Sequence, residues 1–536
     1  MKLLKNGYIQ LLIVSIFTSI IYVFSMYNRL SLMYGGGIGN DLLFHISRLD
    51  GLRAVWTNPI NFVTFGGTGS GVNFFYPWLT YYPAIVIHFL IKNWVITMLV
   101  FFVLLTVLTF DIAYYYSGFI LENKVQKYVF AVLYVFSTDR SITLFQRSAI
   151  GEVIAFAFLP MVIASFYKLI TDDNKIYVLH LAVGMALIVY SHVLSVVICC
   201  FFLFLLFCLN LTKLINHKYR LYNLFKSIVF TLLLTTFFWG PLFEQGFFQK
   251  ISRPYTPELF DGALSIKSFF LNIANNSFDP SLGIILFIGF VISCCAFRSM
   301  NLAIRQMFYL SLIGMFLSTQ LFPWFALQNT PITIIQFPFR FLGITTVCVC
   351  FCIASLFKEP TKIPFLIACF LALCCVQITM THNIKGNAVH LSNNQDYLLS
   401  TKSIKWQQDY YPKISTTSKN LSSIRNHIFY DRNGKKINVN SHSSATKEIF
   451  YLNTKSERYI NTPFLYYKGV SASANGKKLE IRESNRGTVE VYFKEATSDE
   501  IIISSHYTLV AKVSIFISAT TTLITFILFM KQRKSL

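Results

Sequence analysis

Long apolar runs recur along this chain at about the 20 residues needed to cross a bilayer as a helix, and no other feature limits its fold so strongly. They lie near 8–26, 95–119, 149–170, 176–192, 193–212, 226–246, 281–297, 305–322, 341–357, 363–380 and 507–530, with a shorter one near 126–138. Lipid offers backbone groups no water, so such runs fold as helices. With 54% of its 536 residues hydrophobic and 13% charged, the chain is too apolar for one soluble core. A formal charge of +22 would suggest a nucleic-acid partner in a soluble protein. Here Lys and Arg gather in short loops between apolar runs, the positive-inside pattern of a membrane protein, so no nucleic acid is expected. All eleven Cys fall inside apolar segments, where a thiol packs as a small hydrophobe. No disulfide framework or metal knuckle is implied.

The basic loops also set a direction. Those holding Lys124 and Lys127, Lys168 and Lys175, Lys213 to Lys226, Arg298 and Arg305, Lys358 and Lys362, and the tail with Lys531, Arg533 and Lys534 all become cytoplasmic if twelve runs span. Both termini are then cytoplasmic, and the first run, lacking a small-residue cleavage site, reads as an uncleaved helix. The short stretch 77–91, with Pro77, Pro83 and His88, would make a thirteenth span and misplace basic loops. It is expected to lie on the outer face. Residues 27–94, 139–148, 247–280, 323–340 and 381–506 then lie outside. The last of these alternates in KKLEIRE, GTVEVYF and EIIISS, with turn signals at Asn475-Gly476 and Asn485 to Gly487, which predicts antiparallel β structure. The expected architecture is an all-α polytopic membrane bundle of about twelve transmembrane helices. Residues 1–380 form the bundle with the first external loop at 27–94, 381–506 a β-rich extracytoplasmic domain, and 507–536 the last helix and basic tail.

Unusual chemistry sits in the outer loops. After the glycine-rich GGGIGN, Asp41, His45 and Arg48 recur at i, i+4 and i+7 and share one helical face, while Leu42, Leu43, Ile46, Leu49 and Leu52 supply an apolar face that can lie on the membrane. Asp41 suits a base or metal ligand aided by His45, with Arg48 near an anion; the bland alternative is an N-cap carboxylate and a snorkelling Arg. FGGTGSGVNFFYPWLTYYP matches no nucleotide-binding fingerprint. Its Tyr76 and Trp78 can stack on sugar rings or join an interfacial aromatic belt. Glu152 enters an apolar helix just after Arg147, and a carboxylate there either faces a cavity or forms a structural ion pair with Arg147 or Arg140. In QNTPITIIQFPFRFLGI, Pro331 and Pro338 break the helix entry. Irregular backbone at membrane depth survives where it lines a cavity, and Arg340 can there grip a phosphate with two hydrogen bonds or snorkel to headgroups. His192, in VYSHVLS, suits helix packing better than ligation.

An ordered set of these segments resembles a known family. ND-x-x-FH-x-x-R, FYPWLTYYP, R-S-A-x-GE-x-x-AFAFLP, SH-x-LS, QFPFRFLG, DYYP at 409–412 and YYKGVSASANGKKLEI resemble bacterial multipass proteins of the YfhO type and their "6-pyruvoyl-tetrahydropterin synthase-related" membrane relatives, within the GT-C glycosyltransferase-like superfamily. No zinc-binding His cluster supports pterin chemistry. The resemblance implies a GT-C fold whose first external loop carries an essential acid, acting on a polyprenyl-phosphate-linked sugar donor and a cell-envelope polymer acceptor. It casts Asp41 as general base or metal-organising carboxylate, Glu152 as second acid and Arg340 with Gln336 as the grip on the carrier phosphate. His45, Arg48, Arg147, Tyr76 and Trp78 would line the substrate site. Many members pair two acids in this loop; here Asn40 precedes Asp41, one carboxylate fewer for a divalent metal. The competing readings are a transporter or flippase of lipid-linked precursors and a non-catalytic envelope scaffold.

Overall fold

The computed structural model describes residues 7–27, 30–357, 373, 388–393, 395, 408–452, 459–493 and 500–534; the run at 363–380 lies outside these except for Leu373. Four helices are long and apolar enough to cross a membrane: Gly7–Met26, Trp94–Ser117, Ile150–Thr171 and the terminal Leu509–Gln532 segment. A fifth span results if Lys218–Leu234 and Thr236–Phe248, bent 67° at Thr235, count as one. Against about twelve apolar runs in the sequence, the described residues thus give four or five full-length spans. Other runs form shorter apolar helices, among them Ile176–Val189, Val193–Leu209, Ile284–Cys295 and Leu302–Ser318. Breaks such as Tyr190 to His192, where a turn separates two apolar helices, shorten them. The stretch around 77–91 becomes a ten-residue helix, Tyr82–Ile91, started by Pro83, with Phe89 and Leu90 exposed.

At the centre stands the Ile150–Thr171 helix, packed on Trp94–Ser117 and Ile176–Val189 and buried over most of its length. The terminal helix, by contrast, turns Phe516, Leu523 and Phe526 outward, as lipid-facing side chains do.

The β-rich domain follows the alternation in the sequence. A short pair joins β1 (Leu32–Tyr34) to β2 (Val389–Leu391). The main sheet is made by β3 (Phe429–Tyr430), β4 (Lys436–Ile437), β5 (Asn440–Ser443), β6 (Lys447–Tyr451), β7 (Tyr459–Leu465), β8 (Val470–Ala474), β9 (Lys477–Glu483), β10 (Thr488–Tyr492) and β11 (Glu500–Ser505). Its spatial order is β4-β3-β7-β10-β9-β8-β11-β6-β5, and the ladders are antiparallel. Asn475 and Gly476 take φ of +51° and +74° between β8 and β9, the left-handed pair that a two-residue hairpin turn requires.

Ile60, Phe62 and Phe74 of the first loop enter the core of this domain beside Phe450, Phe464 and Val489. Thr68 carbonyl accepts from the Leu465 amide, and Gly71 lies where a Cβ would meet the Tyr467 ring at 2.8 Å. The glycine-rich stretch therefore seats the domain on the bundle, and its aromatics are divided between that core and the site described next.

Candidate functional site

The site begins with main chain. The amides of Gly39, Asn40 and Asp41 donate to the carbonyls of Phe145, Gln146 and Arg147 at 3.2, 3.1 and 2.8 Å. The accepting segment follows a π-turn over Ile142–Gln146, a rare winding that recurs at functional sites, and Ser148 takes φ +50°. Two loops far apart in sequence are thereby locked side by side, and Asp41 lands next to Arg147.

Asp41 occupies the N-cap position of the Leu42–Gly51 helix, yet its side chain makes no capping hydrogen bond. Its charge acts instead on Arg147 and Arg340. Glu152, in the first turn of the central helix, accepts from Arg147 Nη2 at 2.7 Å, and Arg340 Nε stands 3.5 Å from the same oxygen. The second contact is an ion pair without hydrogen-bond alignment, for Arg340 Nε has no hydrogen-bond partner. Arg340 is held from behind, its Nη1 donating to Gln336 Oε1 at 2.8 Å and the Ile335 carbonyl at 3.0 Å. That hold depends on the proline-broken entry: two 3₁₀ turns, Pro331–Ile335 and Pro338–Arg340, flank Gln336 at φ +61°. Phe339 and Phe337 lie under Arg147 and Arg340 at 5.2 and 5.1 Å.

A cleft of about 380 Å³ of empty space opens at this point. Glu152, His192, Ser195 and Arg340 make its polar end; Phe156, Leu159, Ile198 and Ile344, from three apolar helices, make the rest. Burial, helped by Glu152, pushes the Asp41 carboxyl above its usual range against the pull of Arg147 and Arg340. Asp139, on the turn before the π-winding, is pushed up to about 8, by burial first and Glu152 second. His45 is held well below its usual range by burial and by Arg48 and His192, so its ring is neutral. Two guanidiniums share one oxygen of Glu152, and Arg340 Nε makes no hydrogen bond, which leaves a surplus of donor capacity beside the cleft. Such a surplus suits an anion whose other end is apolar. For a divalent metal the donors do not fit: Glu152 is committed to the arginines, and among the described residues no three His, Cys, Asp or Glu converge to hold an ion.

Asp41, Arg147, Glu152, Gln336 and Arg340 are thus brought together. His45 stands one layer back, its Nδ1 3.3 Å from the Tyr81 hydroxyl, which reaches the Tyr76 hydroxyl at 3.5 Å. Both hydroxyls press on Gly151, where a Cβ would come within 2.4 and 2.8 Å of them; this is why a glycine precedes Glu152. Three expectations are corrected. Arg48 does not face the anion site: 1% exposed, it donates to the carbonyls of Tyr76 and Pro77 at 2.6 and 2.7 Å and to Asn73 at 3.4 Å. Trp78 packs edge-on against Trp56 and Phe237 and lines a separate cleft with Tyr190 and Tyr507. The apolar face of the Leu42–Gly51 helix does not lie on a membrane, since Leu42, Ile46, Leu49 and Leu52 are buried in the main helical core. The π-turn pairing pulls that helix inward. Arg140, weighed as a partner for Glu152, instead donates to the Val135 carbonyl and Thr106.

The sequence does not single out His192 or Asp139 as site residues. For His192 the signal was a polar Ser-His pair at the junction of two apolar runs with no basic loop between them. For Asp139 we find no signal short of the fold.

An apolar helical bundle with a buried acid–arginine cleft at one end, roofed by a β-rich domain, defines a polytopic membrane protein. The chain belongs to the family described as 6-pyruvoyl-tetrahydropterin synthase related domain, membrane protein, whose family model matches residues 73–389. Among solved structures it is similar to the arabinofuranosyltransferase AftD from Mycobacteria, at 17% identity over 70% of this chain and 26% of that one, with a TM-score of 0.44. It is also similar to the archaeal oligosaccharyltransferase AglB from Archaeoglobus fulgidus, solved with an inhibitory peptide and a dolichol-phosphate, at 12% identity over 79% of this chain and 58% of that one, TM-score 0.37. The chain thus spans about a quarter of the first and somewhat over half of the second. No curated protein matches.

Proposed function

We propose that this is a membrane glycosyltransferase of the GT-C kind, moving a sugar from a polyprenyl-phosphate-linked donor to a cell-envelope polymer on the outer face of the membrane. The observation that carries this is the convergence of Asp41, Arg147, Glu152 and Arg340 at the polar end of an otherwise apolar cleft. A lipid phosphate has the matching shape: an anion for the arginines and a chain for Phe156, Leu159, Ile198 and Ile344.

An acceptor hydroxyl oxygen attacks the anomeric carbon, and the bond from that carbon to the phosphate oxygen breaks. The electron pair leaves on the phosphate, where Arg340, with Arg147 beside it, stabilises the growing charge. The hydroxyl proton passes to Asp41, whose burial strengthens it as a base. Glu152 orients the two guanidiniums, and Gln336 holds Arg340 in place. The positive-inside distribution of the basic loops supports the orientation, with both termini in the cytoplasm and the cleft end outside.

Replacing Asp41 with Asn is expected to cut transfer by about 10²–10⁴-fold while leaving folded protein in the membrane. Labelled donor supplied to membranes carrying the variant measures this, and retained transfer removes Asp41 from the mechanism.

A further inference from the structure

Glycine weakens a helix relative to alanine, so a glycine within one calls for a reason. Close packing is the usual one. Among the described helices, a Cβ on Gly184 would come within 2.9 Å of Val162, on Gly240 within 2.0 Å of Ser514, on Gly289 within 2.5 Å of Ile353 and on Gly314 within 2.0 Å of Thr345. Each makes room for a neighbouring side chain. Gly343, early in the Phe341–Ala354 helix, is different. The atoms nearest to its missing Cβ, Asp139 Oδ2 and Phe156 Cε2, stand 3.8 Å away, an ordinary contact distance. Alanine would fit there with nothing displaced. Gly246 is open as well, but it lies exposed on the surface, whereas Gly343 lines the acid–arginine cleft.

The gap this glycine leaves sits at a defined depth. Gly343 follows Arg340 by three residues and Phe156 follows Glu152 by four, so both lie one helical turn, about 5.4 Å, beyond the charged groups. Its walls are firm. The Phe156 ring stacks on Tyr134, with 4.4 Å between centroids and 12° from parallel, and the Tyr134 hydroxyl donates to the Phe156 carbonyl at 2.6 Å. Asp139 is buried and its carboxyl, pushed up to about 8 by that burial and by Glu152, is neutral at pH 7. It presents no charge that a hydrocarbon would have to desolvate. Leu159, Ile198 and Ile344 continue the apolar lining.

We propose that Gly343 leaves a methyl-sized notch opposite Phe156 that seats the first methyl branch of an isoprenoid carrier, and so selects a chain branched at its third carbon over one branched elsewhere. This rests on the glycosyl-transfer reading, whose lipid phosphate puts the anion at Arg340. Only a few bonds separate that phosphorus from the first branch of an isoprenoid alcohol, which matches the single turn between Arg340 and Gly343. A chain without this branch leaves the notch void, and the atoms around it lose their contacts.

The test titrates the full-length protein in lipid nanodiscs with 3-methyldodecyl phosphate and 5-methyldodecyl phosphate, isomers that share a head group and a hydrophobicity and differ only in where the branch falls. Wild type should bind the first about fivefold tighter. In Gly343→Ala the new Cβ fills the notch, so the preference should shrink to within about twofold, with a melting temperature no lower than that of wild type. Equal binding of the two isomers by wild type, or a preference that survives Gly343→Ala, overturns the proposal. So does a Gly343→Ala protein that melts early, because packing would then be the reason for the glycine. These three results leave the glycosyl-transfer reading standing. Failure of wild type to bind either isomer overturns the notch and takes the phosphate end of that reading with it.

Discussion

Arg48 in the first loop and Arg486 in the β-rich domain, 1% and 3% exposed, are buried at least as deeply as Arg147 and Arg340, yet the two pairs answer to different partners. Arg48 spends its strongest bonds on the carbonyls of Tyr76 and Pro77. Arg486 bonds the carbonyls of Ile428, Asn461 and Thr462 and the side chains of Asn461 and Ser423. Neutral carbonyls in a fixed array hold a guanidinium without a counter-charge, even though Arg48 Nη1 is left without a hydrogen bond, and such a residue is a strut that ties loops together. Arg147 and Arg340 share one carboxylate oxygen of Glu152, and their geometry is left partly unsatisfied. The lesson is that depth of burial does not mark a functional arginine. Incomplete neutralisation at the mouth of a cleft does.

The distinction is exposed to test, and the greatest expected effect is on activity. Arg340→Gln should lower transfer by about 10²–10³-fold while thermal unfolding in nanodiscs moves by no more than about 1 kcal/mol, because Glu152 keeps Arg147. A variant that unfolds early would make Arg340 a strut like the others. Arg48→Met should do the reverse, costing about 3 kcal/mol of stability through orphaned carbonyls of Tyr76 and Pro77; an unchanged melting curve would break the comparison from that side.

Glu448 in β6 extends it to a buried acid with no counter-charge, since the residue is fully buried and the groups that ease its burial are the neutral hydroxyls of Ser443 and Ser441. Burial pushes it up to about 7 from an ordinary 4.5. The folded state therefore holds this proton more tightly than the unfolded one. Its stability contribution is fully present below pH 4.5, declines as pH rises through about 7 and is absent above that. Glu448→Gln should flatten this slope and stabilise the protein above neutrality by up to ~3 kcal/mol, read from denaturation at several pH values; an unaltered pH dependence would mean the carboxyl is solvated. Gly151→Ala is expected to cost about 1–3 kcal/mol, because the Tyr76 and Tyr81 hydroxyls and the Ser191 carbonyl must all give way to the new methyl group. A Cβ accepted without loss would show that this contact carries no strain.

Much of the bundle was legible because apolar run length is read directly by a bilayer, and the β-rich domain because its alternation and Asn475-Gly476 turn act over neighbouring residues. Asp41, Glu152 and Arg340 were legible as charges in costly places. What local pattern could not give was which charge meets which. The i, i+4, i+7 spacing grouped Arg48 with Asp41, but the helix start turns Asp41 away toward Arg147 while Arg48 follows the helix into the Tyr76–Pro77 carbonyls. Where the apolar runs 176–192 and 193–212 meet, the turn at Tyr190 to His192 leaves both helices shorter than a full-length span. The position of the 410–413 segment was hidden by distance along the chain, since only its pairing with 250–252 brings Tyr410 onto Phe75.

That Asp41 is positioned by three backbone amides sets out what an engineer of this protein is free to alter. Main-chain pairing ignores side-chain identity, so the exposed Asn40 can be exchanged for a residue of other size or charge and the carboxylate stays where it is, whereas Gln146, whose Oε1 is buried, tolerates only a neutral side chain of similar size. Loop length is a different matter. One residue added or removed between Gly39 and Asp41, or between Phe145 and Arg147, shifts the pairing by about 3.4 Å, more than the span of a hydrogen bond, and carries the acid out of reach of its arginines.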